Sequence, residues 1–287
     1  MDKLRDTVAV VTGASRGLGK GMAVGLGELG ATVFVTGRST NARPGSLPGT
    51  VEQTAAAVTS AGGLGIAAAV DQTIDEEVGA LFERVVREHG RIDVLVNCAQ
   101  ASPEQRILWG GQPFWELPFA LWDDLVDVGL RSHFVASAFA ARSMVAAGHG
   151  LIVNVASHGA VIGKSSPRSG AVIAYSVAKA GLHRLTSDMA VELTGTGVSV
   201  IEVWPNATLT EGVLAQADVF GDLTGWLEPI FSGRVLAALI AAGDWQARTG
   251  QAYVVKDVAA LLGIPVPEAP AGGTHREAQR RGVAFRR

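Results

Sequence analysis

Tyr175 and Lys179 stand four residues apart in the stretch "AYSVAKAGL" (174–182). Four residues is one helical turn, so a helix here would place the phenol and the ammonium on one face. A phenol is a weak acid, with a pKa of about 10, and a neighbouring positive charge favours its ionised form. A lysine one turn away could lower that pKa, depending on what the rest of the chain places beside the pair. Ser157 closes the apolar run "GLIVNVAS" (150–157) and supplies a hydroxyl at the end of an expected strand. A second chemical signal is "VVTGASRGLGKGMAVGL" (10–26), where Gly13, Gly17 and Gly19 have the spacing Gly-x-x-x-Gly-x-Gly. Glycines permit a tight turn there and let backbone amides and a helix N-terminus approach a pyrophosphate.

Each of these signals has a plainer alternative. Glycine is common in this chain, with 36 residues, and any strand-to-helix turn can use it. Ser157 alone reads as a strand-end serine, and Tyr175 with Lys179 as the edge of an amphipathic helix. The position of the glycine turn directly after the first strand favours a dinucleotide site. The second strand then selects the nucleotide. It ends "VFVTGRST", with Gly37 and Arg38 where a carboxylate would bind a ribose 2′-hydroxyl. Arg16 lies in the glycine turn. Two guanidinium groups converging on one spot suit a 2′-phosphate, so NADP(H) is expected and NAD(H) is the lesser alternative.

These residues need a scaffold. Short runs rich in Val and Ile occur at 7–12, 32–36, 64–70, 92–97, 150–157, 198–204 and 250–255. Segments of helical period separate them, at 18–29, 74–89, 120–147, 174–194 and 232–242. Seven buried strands with helical crossovers predict an α/β, doubly wound, Rossmann-like fold with a parallel sheet covered on both faces. The ligand crevice is then expected at the strand C-termini. A single domain is expected over 1–264, including a substrate loop at about 205–231, followed by a polar extension at 265–287. Residues 100–119, with Trp109, Phe114 and Trp115, read as a long loop.

Composition narrows the partners. Hydrophobic residues make up 48% and charged residues 18%, which fits a compact globular protein. A net charge of −3 gives no reason to expect nucleic acid or an anionic membrane. The charged opening "MDKLRDTVAV" does not read as a signal peptide, and no apolar run is long enough to span a bilayer. The one cysteine, Cys98, cannot form an internal disulfide, so a cytoplasmic location is expected.

The chain resembles the short-chain dehydrogenase/reductase family in several pieces and in the family's order. They are "TGASRGLG" (12–19), Asp71, "LVNCA" (95–99), Ser157, "YSVAK" (175–179) and "PNATLT" (205–210). The segment 113–145 and "TGRS" are similar to one narrower group within that family. The resemblance implies a carbonyl reductase or alcohol dehydrogenase with Ser157, Tyr175 and Lys179 as catalytic residues. Tyr175 would be the general acid/base, Ser157 would polarise the substrate oxygen, and Lys179 would hold the nicotinamide ribose and lower the Tyr175 pKa. It assigns cofactor contacts to Gly13, Ser15, Arg16, Gly17, Leu18, Gly19, Arg38, Ser39, Asp71, Gln72, Asn97, Ala99, Tyr175, Lys179, Pro205, Thr208 and Thr210. Asp71 would face the adenine, Asn97 and Ala99 would border the adenosine, and Thr208 and Thr210 would lie near the nicotinamide carboxamide. It also implies a homodimer or homotetramer built on the helices at 120–147 and 174–194.

Departures from the family pattern are specific. "NCAQ" (97–100) replaces Asn-Asn-Ala-Gly, Asn206 follows Pro205 where glycine is usual, and Gly129 replaces a catalytic Asn. Glycine can take a kinked backbone itself, so Gly129 is read as compatible with activity. The 17 residues between Ser157 and Tyr175 are expected to reshape the substrate mouth. His133, His158 and His183 show no metal-ligand spacing and no arranged carboxylate partners, so no metal is expected. Cys98 is expected to pack rather than react. Two competing functions share the fold: a dehydratase or epimerase, and a non-catalytic NADP-binding scaffold or redox sensor.

Overall fold

The structure is a computed structural model, and residues 3–101, 113–158 and 172–267 are described below. Seven strands form one parallel sheet in the order β3-β2-β1-β4-β5-β6-β7. They are β1 (Val8–Val11), β2 (Thr32–Gly37), β3 (Leu64–Ala69), β4 (Val94–Asn97), β5 (Gly150–Val155), β6 (Val198–Trp204) and β7 (Ala252–Val254). All four residues of β1 and of β4 are buried, as are all of β5 and β6. Strands buried on both faces cannot alternate apolar with polar, which is why these segments read as continuous apolar runs. The order runs outward both ways from β1 and β4, so the chain reverses direction between them and leaves a crevice at their C-terminal ends.

Helices α1 (Gly17–Glu28), α2 (Val51–Ser60) and α3 (Asp75–His89) lie in the first half. Helix α2 is absent from the sequence expectation. Its buried face is Val51, Thr54, Ala55 and Val58, small residues with a weak apolar signal, and Thr50 caps it by accepting from the Gln53 N–H. The expected helix at 120–147 is two helices, α4 (Phe119–Val126) and α5 (Ser132–Ala147), joined by a π turn at Asp127–Arg131. Helix α6 (Val172–Glu192) carries Tyr175 and Lys179. The region 205–231 contains two short helices, α7 (Glu211–Ala215) and α8 (Ala217–Phe220), before α9 (Pro229–Ala241); α10 (Val255–Leu261) follows β7. Two apolar clusters cover the two faces of the sheet, one centred on α1 and α9, the other on α3 and α5. Trp109, most of the 158–174 loop and most of the expected C-terminal extension fall outside the described residues.

Candidate active site

The glycine turn leaves β1 with Gly13 at φ +64°, a left-handed conformation that glycine adopts without strain. A Cβ on Gly13 would lie 2.6 Å from the Ala99 Cα, and a Cβ on Gly19 would lie 2.4 Å from the Gly13 carbonyl oxygen. Both positions therefore admit only glycine. Thr12 ties the turn to the end of β4: its Oγ1 accepts from the Cys98 N–H at 3.0 Å and the Ala99 N–H at 3.1 Å. The turn delivers the chain to the N-terminus of α1, where the Gly17 N–H donates to Glu211 Oε2 at 2.8 Å. A carboxylate from 194 residues away thus sits where unpaired N–H groups attract anions. This contact shows the donor set fits an anion such as a pyrophosphate.

The ribose end of the turn is cationic. Arg16 donates to Ser39 Oγ at 2.8 Å and to the Gly49 and Pro48 carbonyls, which hold its side chain beside the end of β2. Burial lowers the Arg16 pKa, Glu211 opposes that, and the nearby Arg38 charge lowers it further. Arg38 is exposed and lies 3.6 Å from the Asp71 carboxylate. Asp71 also accepts from the Thr73 N–H and hydroxyl, and these bonds with Arg38 hold its carboxyl below the usual range although burial pushes the other way. Gln72 is buried and donates to Thr36 Oγ1 at 3.4 Å. Ser15 is buried beside Gly37, while Leu18 lies on the first turn of α1.

Asn97 is placed differently from its expected border with the adenosine. It is fully buried, and its amide donates to Asn154 Oδ1, Ser137 Oγ and the His133 carbonyl. Asn154 in turn donates to Thr186 Oγ1. The side chain of Asn97 therefore stitches the sheet to α5 and, through Asn154, to α6, while the backbone at Cys98 and Ala99 meets the glycine turn. Thr210 caps α7, and Thr208 donates to the Asn206 carbonyl at 2.6 Å, so this segment after Pro205 folds back over Gly17.

Ser157, Tyr175 and Lys179 come together at the end of β5. The Ser157 hydroxyl hydrogen-bonds the Tyr175 phenol. Lys179 is buried, and its Nζ donates to the Val155 carbonyl at 2.9 Å and lies 5.8 Å from the centre of the Tyr175 ring. The last residue of the strand thus anchors the lysine, and the second residue beyond it meets the phenol. The charge balance differs from expectation. Burial pushes the Tyr175 phenol up and the Ser157 hydrogen bond lowers it, while the nearby Cys98 raises it. Burial also drives Lys179 down to about 8, opposed by Cys98 and Glu202.

The histidine expectation also needs correction. His183 Nδ1 lies 2.8 Å from Glu202 Oε2, and Glu202 is fully buried in β6, accepting from the Trp204 indole as well. His158 packs edge-on to Trp204 with ring centres 5.1 Å apart. His133 is buried, with Nε2 2.9 Å from the Ala99 carbonyl. Burial takes its pKa to about 3, so it is neutral and Nε2 carries the proton. Cys98 behaves as expected: burial pushes its thiol to about 11. Among the described residues no cluster of metal-ligating side chains occurs. Thr12, Gln100, Glu202 and Glu211 were not legible as site residues, because each acts through a contact remote in sequence.

The sheet order and the glycine turn define a doubly wound fold of the dinucleotide-binding type. The chain belongs to the short chain dehydrogenase family, whose model matches residues 7–218. It is 36% identical over 274 residues to Dehydrogenase/reductase SDR family member 1 of Mus musculus, covering 91% of this chain and 83% of that protein. It is 34% identical over 201 residues to the cis-4-hydroxycyclohexanecarboxylate dehydrogenase of Sinomonas cyclohexanicum, covering 70% and 72%. Among solved structures, a metagenomic short-chain oxidoreductase in complex with NADP matches with TM-score 0.68 and 30% identity, over 88% of this chain and 97% of that one.

Proposed function

We propose that the protein interconverts a carbonyl and a secondary alcohol with NADP(H), using Tyr175 as general acid/base. The observation that carries this reading is the convergence of Ser157, Tyr175 and Lys179 at the end of β5, beside the glycine turn. The glycine turn, Arg16, Arg38 and Lys179 would hold a nicotinamide nucleotide there, and it would supply the hydride chemistry. Tyr175 gives its proton to the carbonyl oxygen during reduction and takes it back during oxidation. Ser157 shares a hydrogen bond with the phenol, so a substrate oxygen between them would receive both hydroxyls. Lys179 has three N–H donors and directs one to Val155, which leaves donors for the ribose. Bound next to the phenol, the lysine charge and the nicotinamide charge would together bring Tyr175 below its nucleotide-free pKa.

Arg16 and Arg38 support NADP(H) over NAD(H), because their mutual repulsion is relieved by a dianionic 2′-phosphate. Exposed Phe134 and Val145 on α5 and Val177 and Val191 on α6 support a homodimer or homotetramer through these helices. A single cysteine, unable to form an internal disulfide, accords with a cytoplasmic location. Among the described residues no helix is long and apolar enough to cross a membrane. The reading is tested by NADPH oxidation with a panel of ketones, for the unmodified protein and for Tyr175→Phe. Turnover should fall by roughly 10²–10⁴-fold with NADPH affinity unchanged. Turnover within about twofold of the unmodified protein would remove Tyr175 from the chemistry.

A further inference from the structure

Helix α10 begins directly after β7, and its N-cap is Val254, whose side chain has no polar atom to accept from the first turn. The first N–H groups of a helix have no partner within it, so a cap must come from elsewhere. Lys256, the second residue of α10, donates its backbone N–H to Asn206 Oδ1 at 3.1 Å. Asn206 thus supplies, from 50 residues away, the cap that Val254 lacks. The sheet explains why the two residues meet. Strands β6 and β7 are parallel with Trp204 opposite Val254, so Asn206 and Lys256 each lie two residues beyond one register pair. Residue 206 has no backbone need for glycine. Among the described residues Asp244 is the one non-glycine residue with positive φ. The asparagine therefore adds a contact without adding strain.

The segment that Asn206 opens is fastened at its other end too. Arg16, the N-cap of α1, provides no side-chain cap either, and the Gly17 N–H donates to Glu211 Oε2 at 2.8 Å. Thr210 lies over Gly17, with Cγ2 3.4 Å from where a Cβ at that position would stand. Between the two ends, the Asn206 carbonyl accepts from the Thr208 hydroxyl at 2.6 Å. Leu227 braces the middle: its N–H donates to the Ala207 carbonyl and its carbonyl accepts from the Leu209 N–H. Residues 206–211 are therefore a strap from the end of β6 to the turn after β1. Strands β5 and β4 lie between those two, so the strap crosses three strand spacings, about 14 Å. It passes the end of β5, where Ser157, Tyr175 and Lys179 meet.

We propose that Asn206 is a positioning residue: by capping α10 it pins the β6 end of this strap and holds Pro205, Thr208 and Thr210 at the crevice for the nicotinamide half of NADP(H). The proposal rests on the NADP(H) reading of the crevice. The two anchors differ in what competes for them. Glu211 sits on the α1 N-terminus that a pyrophosphate would take, so it gives way when the nucleotide binds. Asn206 caps a helix that follows the edge strand β7, on the far side of β6 from the glycine turn, and keeps its partner throughout. With glycine at 206 the strap would lose its fixed end as Glu211 lets go. Ordering it again would then weaken nucleotide binding.

The experiment compares the unmodified protein with Asn206→Gly and Asn206→Asp. Hydrogen exchange of the Lys256 amide reads the cap. Titration calorimetry reads Kd for NADPH and for adenosine 2′,5′-bisphosphate, which carries the adenosine and the 2′-phosphate without the nicotinamide half. In Asn206→Gly, Lys256 exchange should quicken about fivefold and NADPH should bind about fivefold more weakly, with bisphosphate affinity unchanged. Asn206→Asp keeps the acceptor oxygen and should restore both quantities. Faster exchange with NADPH affinity unchanged would make the cap purely structural, and equal weakening of both ligands would make the effect a general loosening. Either result overturns the role of Asn206, as does unchanged Lys256 exchange. Failure of the unmodified protein to bind NADPH overturns the proposed function and this role with it. NADPH binding without ketone turnover overturns the catalytic reading alone.

Discussion

The two rims of the crevice are built differently. On the nucleotide rim, contacts run through backbone: the Gly13 turn touches the Ala99 backbone, Thr12 holds two amides, and Gly17 offers its N–H to an anion. On the opposite rim, α4 and the segment before it present side chains. Phe119 is 91% exposed and Trp115 73%, while only Leu121 and Leu125 anchor α4, packing with Ala174 beside Tyr175. A backbone cradle tolerates almost no substitution, because no side chain can be trimmed to make room. A rim of exposed aromatics can change without disturbing the sheet. The nucleotide rim is thus fixed by backbone crowding, while the α4 rim, which packs beside Tyr175, is fixed by few buried side chains.

The sharpest test of this contrast is Gly13→Ala. Its Cβ meets the Ala99 backbone at 2.6 Å in a left-handed conformation, so the variant should lose roughly 2–4 kcal/mol of stability and most of its nucleotide affinity. Thermal unfolding with and without NADPH measures both. The contrast would break if Gly13→Ala bound NADPH normally. Next in size is Arg38→Asp, which places a carboxylate where Arg38 and Arg16 now converge. NADPH affinity should drop about tenfold relative to NADH, read by titration calorimetry. Tighter binding of NADH than NADPH by the unmodified protein would defeat the two-arginine assignment.

Glu211 offers a finer test, since its carboxylate occupies the α1 N-terminus that a pyrophosphate would need. Removing the charge with Glu211→Gln should tighten NADPH binding by about two- to fivefold, with the gain shrinking at high salt. Weaker binding would show that Glu211 assists the nucleotide rather than competing with it. The smallest effect is expected on the other rim. Phe119→Ala should leave stability within about 0.5 kcal/mol, while KM for a ketone substrate is free to change.

Acid stability separates the buried wall from both rims. His133 titrates near 3 in the folded protein and near 6.5 when unfolded. Between those values the unfolded chain binds the extra proton, so stability falls as pH drops from about 6.5 toward 3. His133→Gln should flatten that part of a urea-denaturation series. Lys179 acts in the alkaline range. Its folded pKa is about 8 against 10.5, so its burial cost is full below about pH 8 and fades toward pH 10.5. Lys179→Met should therefore reduce the rise of stability with pH in that window.

Sequence alone determined the parallel sheet, the glycine turn and the serine–tyrosine–lysine group. Buried strands write continuous apolar runs, and a helix converts a spacing of four into a shared face. The turn was legible because glycine at Gly13 and Gly19 is demanded by backbone crowding, which leaves a residue-type signature. The π turn at Asp127–Arg131, which contains Gly129, divides a stretch that reads as one helix in the sequence. Tertiary structure alone decided the rest. It put Glu211 on Gly17, Gln100 against Gly129, His183 on Glu202, and Asn97 into the core rather than toward the crevice. It also set the charge balance, with burial raising Tyr175 and lowering Lys179. Contacts between remote segments have no fixed sequence spacing, and burial depends on everything packed around a group. Neither can be read from the chain's local order.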